Sequence, residues 1–262
     1  MEKILVIAPP TIDLVEGEPR PGGPGLYAGL ALSMLGARPT LAGPIGVETL
    51  PAVAAERRLG LERAGYPTTR PGAVFSLTYR GQERRVETIH RPPPMDHGEI
   101  LNTLTRDRWD MILLSPLSGE EAGHLLPLLW QHADIVVVDA QGYHRAGLKK
   151  VLDAPGLYQV LHASGQEASG LGRWGVLVET NGPGKIRLAT PWASWTLDPE
   201  GPRLADPTGA GDVFTAALAL GLLRGYSLPE AARKAAALVP VLLPRIQEAI
   251  KKWQDAAQGW FS

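Results

Sequence analysis

Short apolar runs alternate along the chain with stretches whose apolar residues recur every three or four positions. Lys3–Ala8 reads as a buried strand, and Thr40–Ile45, Met111–Leu117, Ile135–Ala140, Leu157–Ala163 and Trp174–Glu179 read likewise. Between them, Leu26, Leu30, Ala31, Met34 and Leu35 have helical spacing, and Gly36 follows as a C-terminal stop. Ser118-Gly-Glu-Glu121 and Ser227-Leu-Pro-Glu230 have the form of capping boxes, predicting helices to about Ala133 and Val239. The apolar run Val213–Leu223 predicts another helix. Strands separated by helices imply βαβ units, hence an α/β domain with a doubly wound, mostly parallel sheet and helices on both faces.

Two stretches depart from this rhythm. Val74–Tyr79 and Arg85–Ile89 alternate apolar with polar around a short loop containing Gly81, which predicts a half-exposed hairpin. With Thr11–Val15 it would form a small sheet standing off the main one. Pro92-Pro-Pro94 is too short to separate two cores. The expectation is one domain over 1–262 with lid segments at about 11–20 and 72–91. The exposed alternation of Val74, Phe75, Leu77 and Tyr79 predicts a homodimer through that lid.

Composition narrows the functions. At 44% hydrophobic residues the 262-residue chain can bury a large core. Its formal net charge of −1 offers no basic excess for a phosphate backbone, which argues against nucleic acid as partner. No apolar run reaches membrane-spanning length, so no membrane association is expected. The absence of cysteine excludes disulfides, thiolate metal sites and cysteine nucleophiles, and suits the cytoplasm. No HExxH is present, and His144 and His162 read as structural.

The densest chemistry is Ala205-Asp-Pro-Thr-Gly-Ala-Gly-Asp212, directly before the apolar helix. Glycines let a backbone turn tightly and approach a ligand. The N–H groups of Gly209, Ala210 and Gly211 with the helix dipole form an anion site. Asp212 would repel a resting anion. It makes sense if the anion is a phosphoryl group in transfer and the carboxylate takes the proton of the attacking hydroxyl. The plainer alternative is that the aspartates cap and the glycines turn.

Asp206-Pro-Thr-Gly-Ala-Gly-Asp212-Val-Phe, with the Ala/Leu helix and Gly225 after it, resembles the C-terminal signature of the PfkB carbohydrate kinases, the ribokinase-like sugar kinases. Pro21-Gly-Gly-Pro-Gly-Leu-Tyr-Ala28 is similar to the family's double-glycine substrate motif. Thr180-Asn-Gly182 resembles its nucleotide-binding turn. The resemblance implies a ribokinase-like fold with a β lid, and ATP with Mg²⁺ as donor. It implies Asp212 as general base with Gly209, Ala210 and Gly211 as anion hole, and Thr180, Gly182 and Thr208 at the nucleotide. Asp13, Gly22 and Gly23 fall where the family holds its sugar, with Tyr27 where an asparagine is usual. Arg145, in Asp139-Ala-Gln-Gly-Tyr-His-Arg145, could reach a phosphate or a substrate oxygen, or be an ordinary surface arginine. Glu167 of Ser164-Gly-Gln-Glu167 stands in the family's metal-organising motif, with Asp139 as a second metal candidate; Ser-x-x-Glu is also an ordinary capping box.

The departures are informative. Tyr27 removes an amide and adds an apolar face, pointing from ribose toward a hexose, an inositol-like polyol or a nucleoside, although a lone helical aromatic is also ordinary core. The family tail that helps hold adenine and a monovalent cation is replaced by Pro240-Val-Leu-Leu-Pro244 and a final helix, leaving that cation undecided. The expected activity is phosphorylation of a hydroxyl on a small sugar, polyol or nucleoside. A non-catalytic metabolite-binding member is the alternative, and retention of the base argues against it. A dinucleotide oxidoreductase is disfavoured, because Pro9-Pro10 follows the first strand where G-x-G-x-x-G would be required.

Overall fold

The computed structural model describes residues 2–257 except 81, 82, 122, 155, 173, 200, 201 and 203. In chain order the strands and helices are β1 (Lys3–Ile7), β2 (Thr11–Val15), β3 (Glu18–Gly22), α1 (Pro24–Met34), β4 (Arg38–Ile45), α2 (Leu50–Arg58), β5 (Glu62–Pro67), β6 (Ala73–Arg80), β7 (Glu83–His90), α3 (His97–Leu104), β8 (Trp109–Leu114), α4 (Leu126–His132), β9 (Ala133–Asp139), α5 (Gln141–Arg145), β10 (Val160–Ser164), α6 (Gly165–Ala168), β11 (Val176–Thr180), β12 (Ile186–Ala189), β13 (Ser194–Leu197), α7 (Ala210–Leu223) and α8 (Leu228–Ala257).

The main sheet runs β13-β12-β11-β10-β9-β8-β1-β4-β5 among the described residues, and all of it from β11 to β5 is parallel. Period two explains why β1 is apolar throughout. Ile4 and Val6 face a core shared with α1, α7 and α8, whereas Leu5 and Ile7 face one shared with α3, α4 and α5. The chain leaves β1 for β4 on one side and later returns to β8 on the other. That reversal is the topological switch point, and a crevice at the carboxyl ends of the strands follows from it.

The lid is a four-stranded sheet, β3-β2-β6-β7, with β2 and β6 parallel. The loop at 81 and 82 expected to join its hairpin lies outside the described residues. The predicted half-exposed face is instead covered within the protomer. Val74 packs with Ile12 and Ala52 of α2, Phe75 packs with Ala73 and Leu117, and Leu77 is also buried. The Tyr79 side chain lies outside the described residues. Among the described residues, the large apolar side chains still exposed on the lid are Val86 and Ile89 of β7.

Two further expectations are corrected. Ser118–Glu121 opens no helix. Both carboxylates turn inward to cap loop amides: Glu120 accepts from the N–H of Leu117 and of Ser118 (2.7 Å), Glu121 from Gly123 (2.7 Å) and Leu125 (3.0 Å), and the Tyr143 hydroxyl donates to Glu121. The helix starts only at Leu126, with Pro127 in its first turn. In the second case, Pro240 and Pro244 do not end α8, which runs through both. An internal proline costs about 3 kcal/mol. Here Ala231, Ala235, Val239, Leu242, Leu243, Ile246 and Ile250 form one buried stripe against the core, and each large member gains roughly 1.5–3 kcal/mol from burial. The stripe outweighs the prolines.

Candidate active site

The site assembles where the lid meets the carboxyl ends of the strands. Asp13 and Thr11 share one face of β2, opposite the face that buries Ile12. Thr11 pairs with Gly22 across the β2–β3 ladder, and its Oγ1 donates to Asp13 Oδ1 at 3.1 Å. The Asp13 carboxylate lies over Gly22, where a Cβ would come within 2.3 Å of Oδ2. Gly23, at φ +94°, then turns the chain into α1. Asp13 therefore meets the double-glycine turn as the sequence predicted.

On the same face of β2 and β6, Asp13 stands in register with Phe75. The Arg145 guanidinium lies 6.0 Å from the Phe75 ring centroid, and it donates to the Leu117 carbonyl (3.4 Å) and to Gln141. Arg145, itself exposed, thus stands at the junction of lid and core.

The glycine loop is built around Tyr27. Gly209 caps α7 at φ +87°, and a Cβ there would approach Tyr27 Cδ1 to 2.3 Å. Tyr27, one turn into α1, is 8% exposed and belongs to the core, while its remaining surface lines the cleft. It couples the double-glycine turn to the glycine loop, a role that its lone position in the sequence does not disclose. Thr208 N–H donates to Asp206 Oδ1 at 2.9 Å, and Ala210 N–H donates to the Pro207 carbonyl at 3.0 Å. The Ala210 amide is thereby engaged in the turn, which leaves Gly209 and Gly211 as the better-placed anion donors of the expected three. Asp212, half-buried, occupies the first turn of α7, where the helix leaves N–H groups without internal acceptors.

Behind the loop lies a buried polar chain. His162 Nδ1 contacts Asp139 Oδ2 at 2.8 Å and Thr215 Oγ1 at 2.9 Å, and its Nε2 contacts Thr180 Oγ1 at 3.1 Å. Thr215 Oγ1 in turn donates to the Gly211 carbonyl at 2.8 Å. Burial works against an imidazolium here. The hydrogen bond and charge of Asp139, with Glu167 and Asp212 farther off, more than offset it, so the pKa stands above the ordinary 6.5. His162 is buried, and it links the ends of β9, β10 and β11 to the helix that carries Asp212.

In this network the carboxylate of Asp139, a metal candidate on the sequence, is engaged by His162 and by the Gln141 N–H (2.8 Å). Glu167 forms the capping box with Ser164, accepting its N–H at 2.6 Å. Among the described residues no three acidic or histidine side chains cluster to hold a metal. Gly182, at φ +52°, lies in the turn after Thr180, closed by Gly184 N–H to the Asn181 carbonyl at 2.8 Å.

A cleft of about 910 Å³ opens between the lid and α8, lined by Asp13, Arg20, Tyr27, Thr208, Gln247 and Lys251 among others. Gly209, Ala210, Gly211, Asp212 and Arg145 lie outside its lining, so it reaches the glycine loop at the Thr208 edge. Sequence reasoning did not foresee Gln247, Phe75 or Thr215, because each acts through partners distant along the chain. No described helix is long and apolar enough to cross a membrane.

Comparisons with known proteins agree with this geometry. Residues 198–240, which contain the glycine loop and all of α7, match the pfkB family carbohydrate kinases. An inositol 3-kinase of Arabidopsis thaliana is 31% identical over 143 residues, a stretch that is 48% of this chain and 40% of the plant protein. The match thus spans less than half of that relative. A pyrophosphate-dependent kinase in the ribokinase family, solved with a pyrophosphate analogue and myo-inositol, superposes with TM-score 0.72 at 18% identity, covering 91% of this chain and 93% of that one. A sugar kinase of Pyrococcus horikoshii superposes with TM-score 0.75 at 17% identity, covering 91% and 90%. The fold is ribokinase-like, and the segment that resembles the pfkB family carbohydrate kinases is the one that holds the left-handed glycine at the mouth of α7 and the aspartate in its first turn.

Proposed function

We propose that the chain transfers a terminal phosphoryl group to a hydroxyl of a small polyol or sugar, with an inositol-like ring as the first acceptor to test. The observation that carries this reading is the opening of α7: a left-handed Gly209 backed by Tyr27, exposed Gly211, and Asp212 within the first turn. Asp212 takes the proton of the acceptor hydroxyl, and the Gly209 and Gly211 amides with the helix dipole stabilise charge on the transferring group. Asp13 accepts hydrogen bonds from neighbouring hydroxyls, for which a carboxylate suits a vicinal diol. Arg145, stacked on Phe75 beside Asp13, supplies a cation at the same junction.

The inositol class is favoured by two similar proteins, the plant inositol 3-kinase and the kinase solved with myo-inositol. The second of these uses pyrophosphate, so ATP and pyrophosphate are both donors to test. Thr180, Gly182 and Thr208 are the residues we assign to the donor side. Mg²⁺ would be held through Glu167, half-buried, together with donor oxygens and waters, since Mg²⁺ binds by one or two carboxylates plus phosphates. It would neutralise charge on the donor. A lid-mediated homodimer rests on exposed Val86 and Ile89; light scattering that gives a monomer at every concentration removes it.

The deciding experiment follows ADP or phosphate release with Mg²⁺ and either donor across inositols, hexoses, ribose and nucleosides. Turnover on an inositol or hexose above that on ribose is expected. Ribose as best acceptor would overturn the acceptor class, and no turnover with any pair would overturn the kinase reading.

A further inference from the structure

The final helix stands where the resemblance to the sugar kinases leads one to expect a different tail, and it lines the cleft. Gln247 Nε2 donates to the carbonyls of both Asp206 and Thr208, each at 3.2 Å. Seven residues on, Gln254 Nε2 donates to the Pro19 carbonyl of lid strand β3 at 3.0 Å. Two turns of helix separate them, about 10 Å along the axis, and positions i and i+7 share a face. Lys251, between them at i+4, lines the cleft with both glutamines. The helix itself is fixed to the core through Leu242, Leu243, Ile246 and Ile250. One face of a rigid, core-anchored rod is therefore tied at one end to the glycine loop and at the other to the lid. Pro19 pairs with Leu14, the neighbour of Asp13, so the lid end of the tie sits beside the strand that presents Asp13.

We propose that Gln247 and Gln254 are positioning residues that set the width of the acceptor cleft. Gln247 fixes the turn that aims the glycine loop and Asp212, and Gln254 fixes the lid strands that carry Asp13. This deepens the kinase reading and rests on it for its kinetic consequences. All three bonds run from flexible side chains to main-chain carbonyls near solvent, so their loss leaves the folded core intact while loosening the parts that must meet. Misplacing reacting groups by an ångström can cost about 10²-fold in rate.

The test uses the full chain with Gln247→Leu, Gln247→Glu and Gln254→Leu. Gln247→Glu keeps the length but sets a carboxylate against two carbonyls. Both Gln247 variants should lower kcat about 10- to 100-fold with acceptor KM within threefold, whereas Gln254→Leu should raise acceptor KM about 5- to 10-fold with kcat nearly unchanged. Amide hydrogen exchange provides a readout that does not need turnover. Exchange over 206–212 should quicken at least threefold in the Gln247 variants, and over 13–22 in Gln254→Leu, with Tm within a few degrees of the parent. If the parent turns over no acceptor, the kinase reading fails and exchange alone decides the positioning role. Unchanged exchange in the two segments overturns the proposal. So do kinetic constants within twofold of an active parent in all three variants.

Discussion

Replacing Gly209 by alanine probes the contact on which the glycine loop is built. Two costs can be separated. At φ +87° an L residue carries the left-handed penalty, about 1–2 kcal/mol. The new Cβ would also lie 2.3 Å from Tyr27 Cδ1 and 2.6 Å from Cε1. An 8% exposed ring held between α1 and the core cannot swing away, so overpacking adds about 1–3 kcal/mol. The sum, about 2–5 kcal/mol, is a large share of the ~5–15 kcal/mol that typically holds a domain folded. At roughly 2–4 °C per kcal/mol for a chain of this size, Tm should fall by about 4–20 °C. Gly225 provides the control, with φ +83° and nothing within 4 Å of its added Cβ. Gly225→Ala should show the left-handed penalty alone. Thermal melts of both variants, and of Gly209→Ala combined with Tyr27→Leu, isolate the ring contact. The combined variant should recover part of the loss, because leucine is smaller and can repack. Folded Gly209→Ala should also turn over at least 10²-fold more slowly, the cost of displacing one anion-hole donor. Equal destabilisation at Gly209 and Gly225, with no recovery on shortening Tyr27, would refute the reasoning.

Three further outcomes follow from the site. Asp212→Asn should lose about 10²–10⁴-fold in kcat with donor affinity little changed; a variant retaining more than half the parent rate at saturation would remove Asp212 as base. Asp13→Ala should raise acceptor KM far more than donor KM, because a charged hydrogen-bond partner is worth about 1.5–3 kcal/mol; equal effects on both would place Asp13 outside the acceptor site. His162 has a folded pKa above its ordinary value, so its contribution is complete below about pH 6.5 and is lost as pH rises through the folded value. The Tm gap between the parent and His162→Gln should therefore narrow with rising pH, and a gap constant from pH 5.5 to 9 would show that folding does not raise the imidazole's pKa.

The sequence by itself determined the fold class, because burial on both faces makes a parallel strand apolar throughout, as in Lys3–Ile7, and helices repeat their apolar residues every three or four positions. It also determined the local chemistry of the glycine loop, since a left-handed turn before a helix needs glycine wherever the rest of the chain goes. What it could not express were partnerships between residues far apart. Glu120 and Glu121 read as the cap of a helix, and only the folded loop gave their carboxylates nearer amides to accept from. Pro240 and Pro244 read as a stop, and only the core supplied the burial that carries α8 through them. Only strand packing set Asp139 against His162, and only the placement of α7 brought Gly209 against the Tyr27 ring, whose remaining surface lines the cleft. Local backbone preference is encoded residue by residue. The surroundings of a carboxylate, an imidazole or an aromatic ring are set by which strands become neighbours, and that decision belongs to the tertiary structure.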